Sequence, residues 1–158
     1  MELTSEDIND GAKLPERHVF NGMGYSGENL SPHLAWDEVP DGTKSFVVTC
    51  FDPDAPTGSG WWLWVVAFLP ADVRELPRGV GSGSATLPQG AIQTRTDFGT
   101  AGYGGAAPPA GESHRYIFTV HALDVPAIEV DENASGAMVG FNVHFHSLGK
   151  ASLTARYI

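Results

Sequence analysis

Three apolar runs dominate the chain, and each carries the pattern of a β-strand. Lys44 to Phe51 (KSFVVTCF) is rich in β-branched and aromatic residues and stops at Asp52-Pro53. Trp61 to Leu69 (WWLWVVAFL) is nine apolar residues without alternation, closed by Pro70. Nine is short for an uncapped helix, so the run predicts a strand buried on both faces. Within it Trp61 and Leu63 share one face, and Trp62 and Trp64 share the other. His114 to Leu123 (HRYIFTVHAL) sets His114, Tyr116, Phe118 and Val120 on one face, with Arg115, Ile117, Thr119 and His121 on the opposite one. Shorter strand candidates are Glu2–Thr4, His18–Phe20, His33–Trp36 and Ser152–Tyr157. One helix is predicted over Ala134 to Leu148. There Met138, Phe141, Phe145 and Leu148 recur at spacings of three and four as an apolar face, and Gly149 stands where a glycine cap belongs.

Glycine and proline punctuate this pattern unevenly. Thirteen of the 30 fall between Pro77 and Ser113, a stretch interrupted only by the short strand-like Ala91–Phe98. Loops of this length in compact domains are usually functional. The chain therefore reads as one domain, residues 1–158: mainly β, mostly antiparallel, with one late helix and long loops converging at one end.

Charge and composition narrow the function. Nine basic against nineteen acidic residues give a net charge of -10, which excludes a nucleic-acid backbone binder and disfavours anionic membrane surfaces. A single small anion in a local pocket stays compatible with that balance. The N-terminus lacks a basic start followed by an apolar run, and no stretch approaches the ~20 apolar residues of a membrane span, so a cytoplasmic protein is expected. The one cysteine, Cys50, cannot pair internally and reads as a small buried hydrophobe. No metal is expected. Asn142, His144 and His146 are spaced two apart, which on a helix points them about 200° apart. No cofactor is expected either, because GxSxG, phosphate-loop and dinucleotide patterns are absent.

Candidate chemistry concentrates in three places. In DPDAP (Asp52–Pro56) two carboxylates flank a proline: an acid/base or ligand pair, or a rigid turn bonding its own backbone. Position favours an inward Asp52 near His114 and an Asp54 that holds the turn, with Ala55–Pro56 the better candidate for a cis bond. In GAAPPAGESHRY (Gly105–Tyr116) His114 and Tyr116 point the same way, offering two donors to a carboxylate or phosphate oxygen. An edge histidine beside a core tyrosine reads equally well from pattern alone. The tryptophans at 61, 62 and 64 are mostly core, with one sufficient for a pocket rim.

Three motifs in order, NLSPHLAW (Asn29–Trp36), FDPDAPTGSGWW (Phe51–Trp62) and GYGGAAPPAGESHRYIFTVHALD (Gly102–Asp124), resemble the phosphatidylethanolamine-binding protein family. The likeness is to its bacterial Raf-kinase-inhibitor-like, YbhB/YbcL-type branch, and it continues through GFNVHFHSL (Gly140–Leu148). The resemblance implies a Greek-key fold in which a large antiparallel sheet packs on a smaller one. It also implies an anion pocket formed by Asp52, Ala55, Pro56, Trp61, Pro108, Pro109, His114 and Tyr116, with the small residues Gly105–Ala107 lending backbone N–H groups. Two positions depart from the family pattern: Leu63 stands where a histidine usually contacts the anion, and Phe68 where asparagine is common. Leu63 thereby makes the pocket more apolar. The expected function is capture of a small anion or phospho-head group, with a kinase-inhibitor-like regulatory role implied by distant relatives and a homodimer by analogy. The alternative is a cofactor-independent acid–base enzyme of lyase, isomerase or cyclase type. It would act on a small, largely apolar organic molecule through Asp52, His114 and Tyr116. No protein partner can be assigned from the sequence.

Overall fold

The computed structural model describes residues 1–158. Eight strands follow in order: β1 (Glu2–Thr4), β2 (Leu34–Asp37), β3 (Ser45–Asp52), β4 (Trp61–Pro70), β5 (Glu75–Leu76), β6 (Ile92–Gln93), β7 (His114–Leu123) and β8 (Ser147–Tyr157). One helix, α1 (Gly136–His144), lies between β7 and β8. The strands form a five-stranded sheet in the order β6-β4-β3-β7-β8 and a three-stranded sheet in the order β1-β2-β5, all pairings antiparallel. No helix is long and apolar enough to cross a membrane.

The large sheet is buried on both faces, as the unbroken apolar run of β4 predicts. Phe46, Val48 and Cys50 of β3 join Trp64 and Val66 of β4 and Phe118 and Val120 of β7 in the main core, which Leu34, Trp36 and Leu76 of the small sheet complete. Val47 and Val65, facing the other way, meet Val139 and Val143 of α1. Cys50 is fully buried, and burial pushes its thiol well above the ordinary range.

Two bulges in β4 interrupt the period of two. Cys50 pairs with Trp64 and Phe51 with Trp62, so Leu63 has no partner on β3. Consequently Leu63 and Trp64 both enter the main core, while Trp62 packs on the α1 side. The expected shared face for Trp62 and Trp64 is corrected by this extra residue. The second bulge lies between the pairs Phe46–Leu69 and Val48–Val66 and contains Phe68 at φ 61°. A bulky aromatic is rare in the left-handed region, whereas asparagine is tolerated there.

Several sequence expectations are revised. The helix is shorter than Ala134–Leu148, and its buried side is Gly136, Val139 and Val143. The expected apolar face is on the surface, with Phe141 and Phe145 each 62% exposed. Gly136 fixes this rotation, because a Cβ there would collide with the Trp62 ring. Ser135 caps the helix, its hydroxyl accepting from Met138 N–H at 3.1 Å. Gly149 belongs to β8, which starts at Ser147 and absorbs the expected cap. His18–Phe20 is no strand: a 3₁₀ turn spans Glu16–His18, and Val19 makes an isolated bridge to Ala106. Of Ala91–Phe98 only Ile92–Gln93 is regular strand. Every peptide bond is trans, including Ala55–Pro56, so the expected cis bond is absent.

Candidate functional site

Strand pairing brings three chain segments to one end of the large sheet. Asp52, last residue of β3, sits opposite Trp61 at the start of β4, and Phe51 sits opposite Ile117 near the start of β7. The loops above them are tied down individually. Gly104 N–H donates to the Leu63 carbonyl at 3.0 Å, a group that the bulge leaves free of β3. Tyr25 donates its hydroxyl to the Pro108 carbonyl at 2.5 Å, holding the Pro-Pro step. Phe98 stacks on Phe20 with ring centres 4.7 Å apart and meets Trp61 edge-on at 5.4 Å.

These segments enclose a cavity of about 160 Å³, below the ~300–1,000 Å³ of drug-sized sites, so it fits a compact ligand or head group. All ten residues singled out in the sequence line it: Asp52, Ala55, Pro56, Trp61, Leu63, Gly105, Pro108, Pro109, His114 and Tyr116. Four others were not singled out individually: Met23, Thr57, Phe98 and Ala107. Ala107 was inside a named small-residue run. Met23 and Phe98 come from distant loops with no periodicity to reveal where they go. Met23 is 70% exposed at the rim and, like Phe68, has a left-handed φ of 54°. Phe68 is not part of the cavity wall, so the departure at that position bears on the β4 backbone and not on the pocket.

His114 is the polar centre. Its Nδ1 lies 2.7 Å from Asp52 Oδ2 and its Nε2 2.9 Å from Glu112 Oε1. Both nitrogens face carboxylate oxygens, an arrangement that the doubly protonated ring satisfies at once. Burial would lower the His114 value, but the hydrogen bonds and charges of Glu112 and Asp52 outweigh it and raise the value above 6.5. Tyr116 lies beside His114 with ring centres 6.5 Å apart. Its buried hydroxyl has no hydrogen-bond partner. Burial, then the nearby Asp52 charge, hold the phenol well above its ordinary value, so it stays a neutral donor. Asp52 acts on it through charge; no hydrogen bond of sound geometry joins them.

Two expected roles change. The turn is held by Asp52, whose Oδ1 accepts from Asp54 N–H at 2.8 Å. Asp54 instead forks onto Arg115, accepting from Nε at 2.9 Å and from a terminal guanidinium nitrogen at 2.8 Å, and so clamps the loop to β7. Arg115 brings the Asp54 carboxyl down to about 2. Gly105 N–H, expected to face the ligand, donates to Asn29 Oδ1 at 2.8 Å. Sequence reasoning also missed Glu112, for which a solvent-exposed turn gives no signal.

Comparison with known proteins agrees with this architecture. The family model described as phosphatidylethanolamine-binding protein matches residues 4–158. The chain is 73% identical over 157 residues to the UPF0098 protein YbhB of Escherichia coli, covering 99% of each. It is 51% identical to the UPF0098 protein YbcL of the same organism, covering 99% of this chain and 86% of that one. The crystal structure of YbcL superposes with a TM-score of 0.95, covering 99% of this chain and 96% of the other. A homologue from Chlamydia trachomatis superposes at 0.83 with 28% identity, covering 99% and 96%.

Proposed function

The chain belongs to the phosphatidylethanolamine-binding protein family, and from that premise we propose that it binds the oxygen-bearing head of a small, partly apolar ligand. Carboxylate and phosphoryl compounds are the ligand class meant. One observation carries the reading: the Tyr116 hydroxyl is buried, unpartnered and part of the cavity wall. A ligand oxygen accepting from this hydroxyl adds one buried hydrogen bond, worth about 0.5–1.5 kcal/mol. Leu63, Trp61 and Phe98 supply apolar wall for the ligand's body. The family's name, which specifies binding of a phospholipid with a phosphoryl head group, points to the same oxygen chemistry.

A second reading is favoured by the His114 arrangement. An imidazolium held on Nδ1 by Asp52 can deliver the Nε2 proton to a bound oxygen once Glu112 swings off that nitrogen, as general acid–base chemistry on a neutral substrate requires. Calorimetry with inorganic phosphate, acetate and small neutral carbonyl compounds separates the readings. Anions binding better than neutral compounds support the binding module; a neutral compound that is consumed supports the enzyme. In either case Tyr116→Phe should weaken the binding ligand roughly tenfold. Unchanged affinity would remove the proposal.

A further inference from the structure

Given the pocket reading above, on which this rests, we propose that Glu112 sets the charge class of the ligand. It is a tethered carboxylate that lies beside the cavity, outside its wall, and bonds the His114 nitrogen that an anion would need. Asp52 holds Nδ1 from within, so Nε2 is the one ring nitrogen left for a ligand, and Glu112 already binds it. Substitutes for it are few. No Lys or Arg belongs to the cavity wall. The Gly105 N–H is taken by Asn29, and the Thr57 hydroxyl donates to the Gly60 carbonyl. Two carboxylates around one imidazolium leave a local charge of -1, so an anion approaching with Glu112 in place meets net repulsion.

Glu112 is built to leave. It ends a turn in which its N–H donates to the Pro109 carbonyl at 3.1 Å and Gly111 takes φ 83°. Residues 109–113 are all solvent-exposed. The Glu112 side chain is 47% exposed and the His114 side chain 2%, so the carboxylate can return to water while the imidazolium cannot. An anion therefore enters by exchange, its oxygen replacing the Glu112 oxygen at Nε2 while Asp52 stays on Nδ1. A neutral ligand can bind at Tyr116 without displacing Glu112, since it needs no contact with Nε2 to be held there. Apparent anion affinity is the intrinsic affinity reduced by the fraction of molecules with Glu112 displaced.

Acetate and acetamide form a probe pair of nearly equal shape and different charge. Titration calorimetry with both, and with inorganic phosphate, on the wild type, Glu112→Gln and Tyr116→Phe tests the proposal. Glu112→Gln keeps the side chain's length and its acceptor oxygen while removing the charge. It should tighten phosphate and raise the acetate-to-acetamide affinity ratio about tenfold, the weight of one charge-assisted contact. An unchanged or lower ratio, or no anion binding to Glu112→Gln, overturns the proposal. So does equal tightening for acetamide, which would make Glu112 a steric plug. Failure of the pocket reading looks different: Tyr116→Phe would then leave every affinity unchanged, whatever Glu112→Gln does.

Discussion

Asp52→Asn is the substitution that isolates the bond at the centre of the cavity. Asparagine preserves the acceptor oxygen that takes the Asp54 N–H at 2.8 Å, so the turn is kept. What is lost is the charge 2.7 Å from His114 Nδ1, between side chains that are 6% and 2% exposed. Orphaning a buried charge costs roughly 3–5 kcal/mol. Here the ring can shed its proton and still donate through Nε2 to Glu112, so the loss falls nearer a single buried charge-assisted bond, about 2 kcal/mol. The loss should depend on pH with a definite sign. His114 is held above 6.5 in the folded protein, so its contribution is complete below pH 6.5 and disappears as the pH rises through the raised folded value. Urea unfolding followed by tryptophan emission should therefore show the gap between wild type and Asp52→Asn fully open at pH 5.5 and narrowed at pH 9. An equal gap at both values would show that Asp52 acts through the turn alone and that no imidazolium is stabilised.

Three further substitutions address the two positions that depart from the family pattern. Phe68→Asn and Phe68→Ala lose the same ring contacts with the α1-side core, but asparagine accepts φ 61° more readily. The asparagine variant should be the more stable by about 1 kcal/mol in urea unfolding, and the reverse order would refute strain at the bulge. Leu63→His returns a donor to the cavity wall and should tighten phosphate roughly ten- to a hundred-fold, most strongly below about pH 6.5. Equal affinities at pH 5.5 and 8 in both proteins would mean that residue 63 does not reach the bound anion.

Elements decided by local alternation were legible. Strand β7 has the bounds read from HRYIFTVHAL because every second side chain is buried and nothing interrupts its pairing with β3 or with most of β8. The helix was legible in existence but not in rotation. Its sequence offers one apolar set at Met138, Phe141 and Phe145 and another at Val139 and Val143, and periodicity alone prefers the larger side chains. The choice was made by Gly136, whose missing side chain lets the helix start lie against Trp62. That contact joins residues 74 positions apart and leaves no trace in a local window.

The residues of the cavity wall came from the family resemblance rather than from periodicity; strand ends held by pairing, and the proline steps beside them, are what bring those residues together. The bulges themselves, and the path of the turn at Glu112, were not legible. A bulge is a count of two against one, invisible without the partner strand, and both positions that depart from the family pattern, 63 and 68, sit on one. Their consequences diverge: Leu63 changes what the cavity can bond, while Phe68 loads a backbone that asparagine would relax. Glu112 extends the point to charge. Its type and its place two residues before His114 are plain in GESHRY, but an exposed glutamate in a glycine turn reads as solubility. Only the turn's path, which aims the carboxylate at Nε2, makes it a competitor for the ligand. Removing a leucine to restore a donor and removing a glutamate to free one should therefore both favour anions, by separate routes whose effects add only if residues 63 and 112 engage the anion independently.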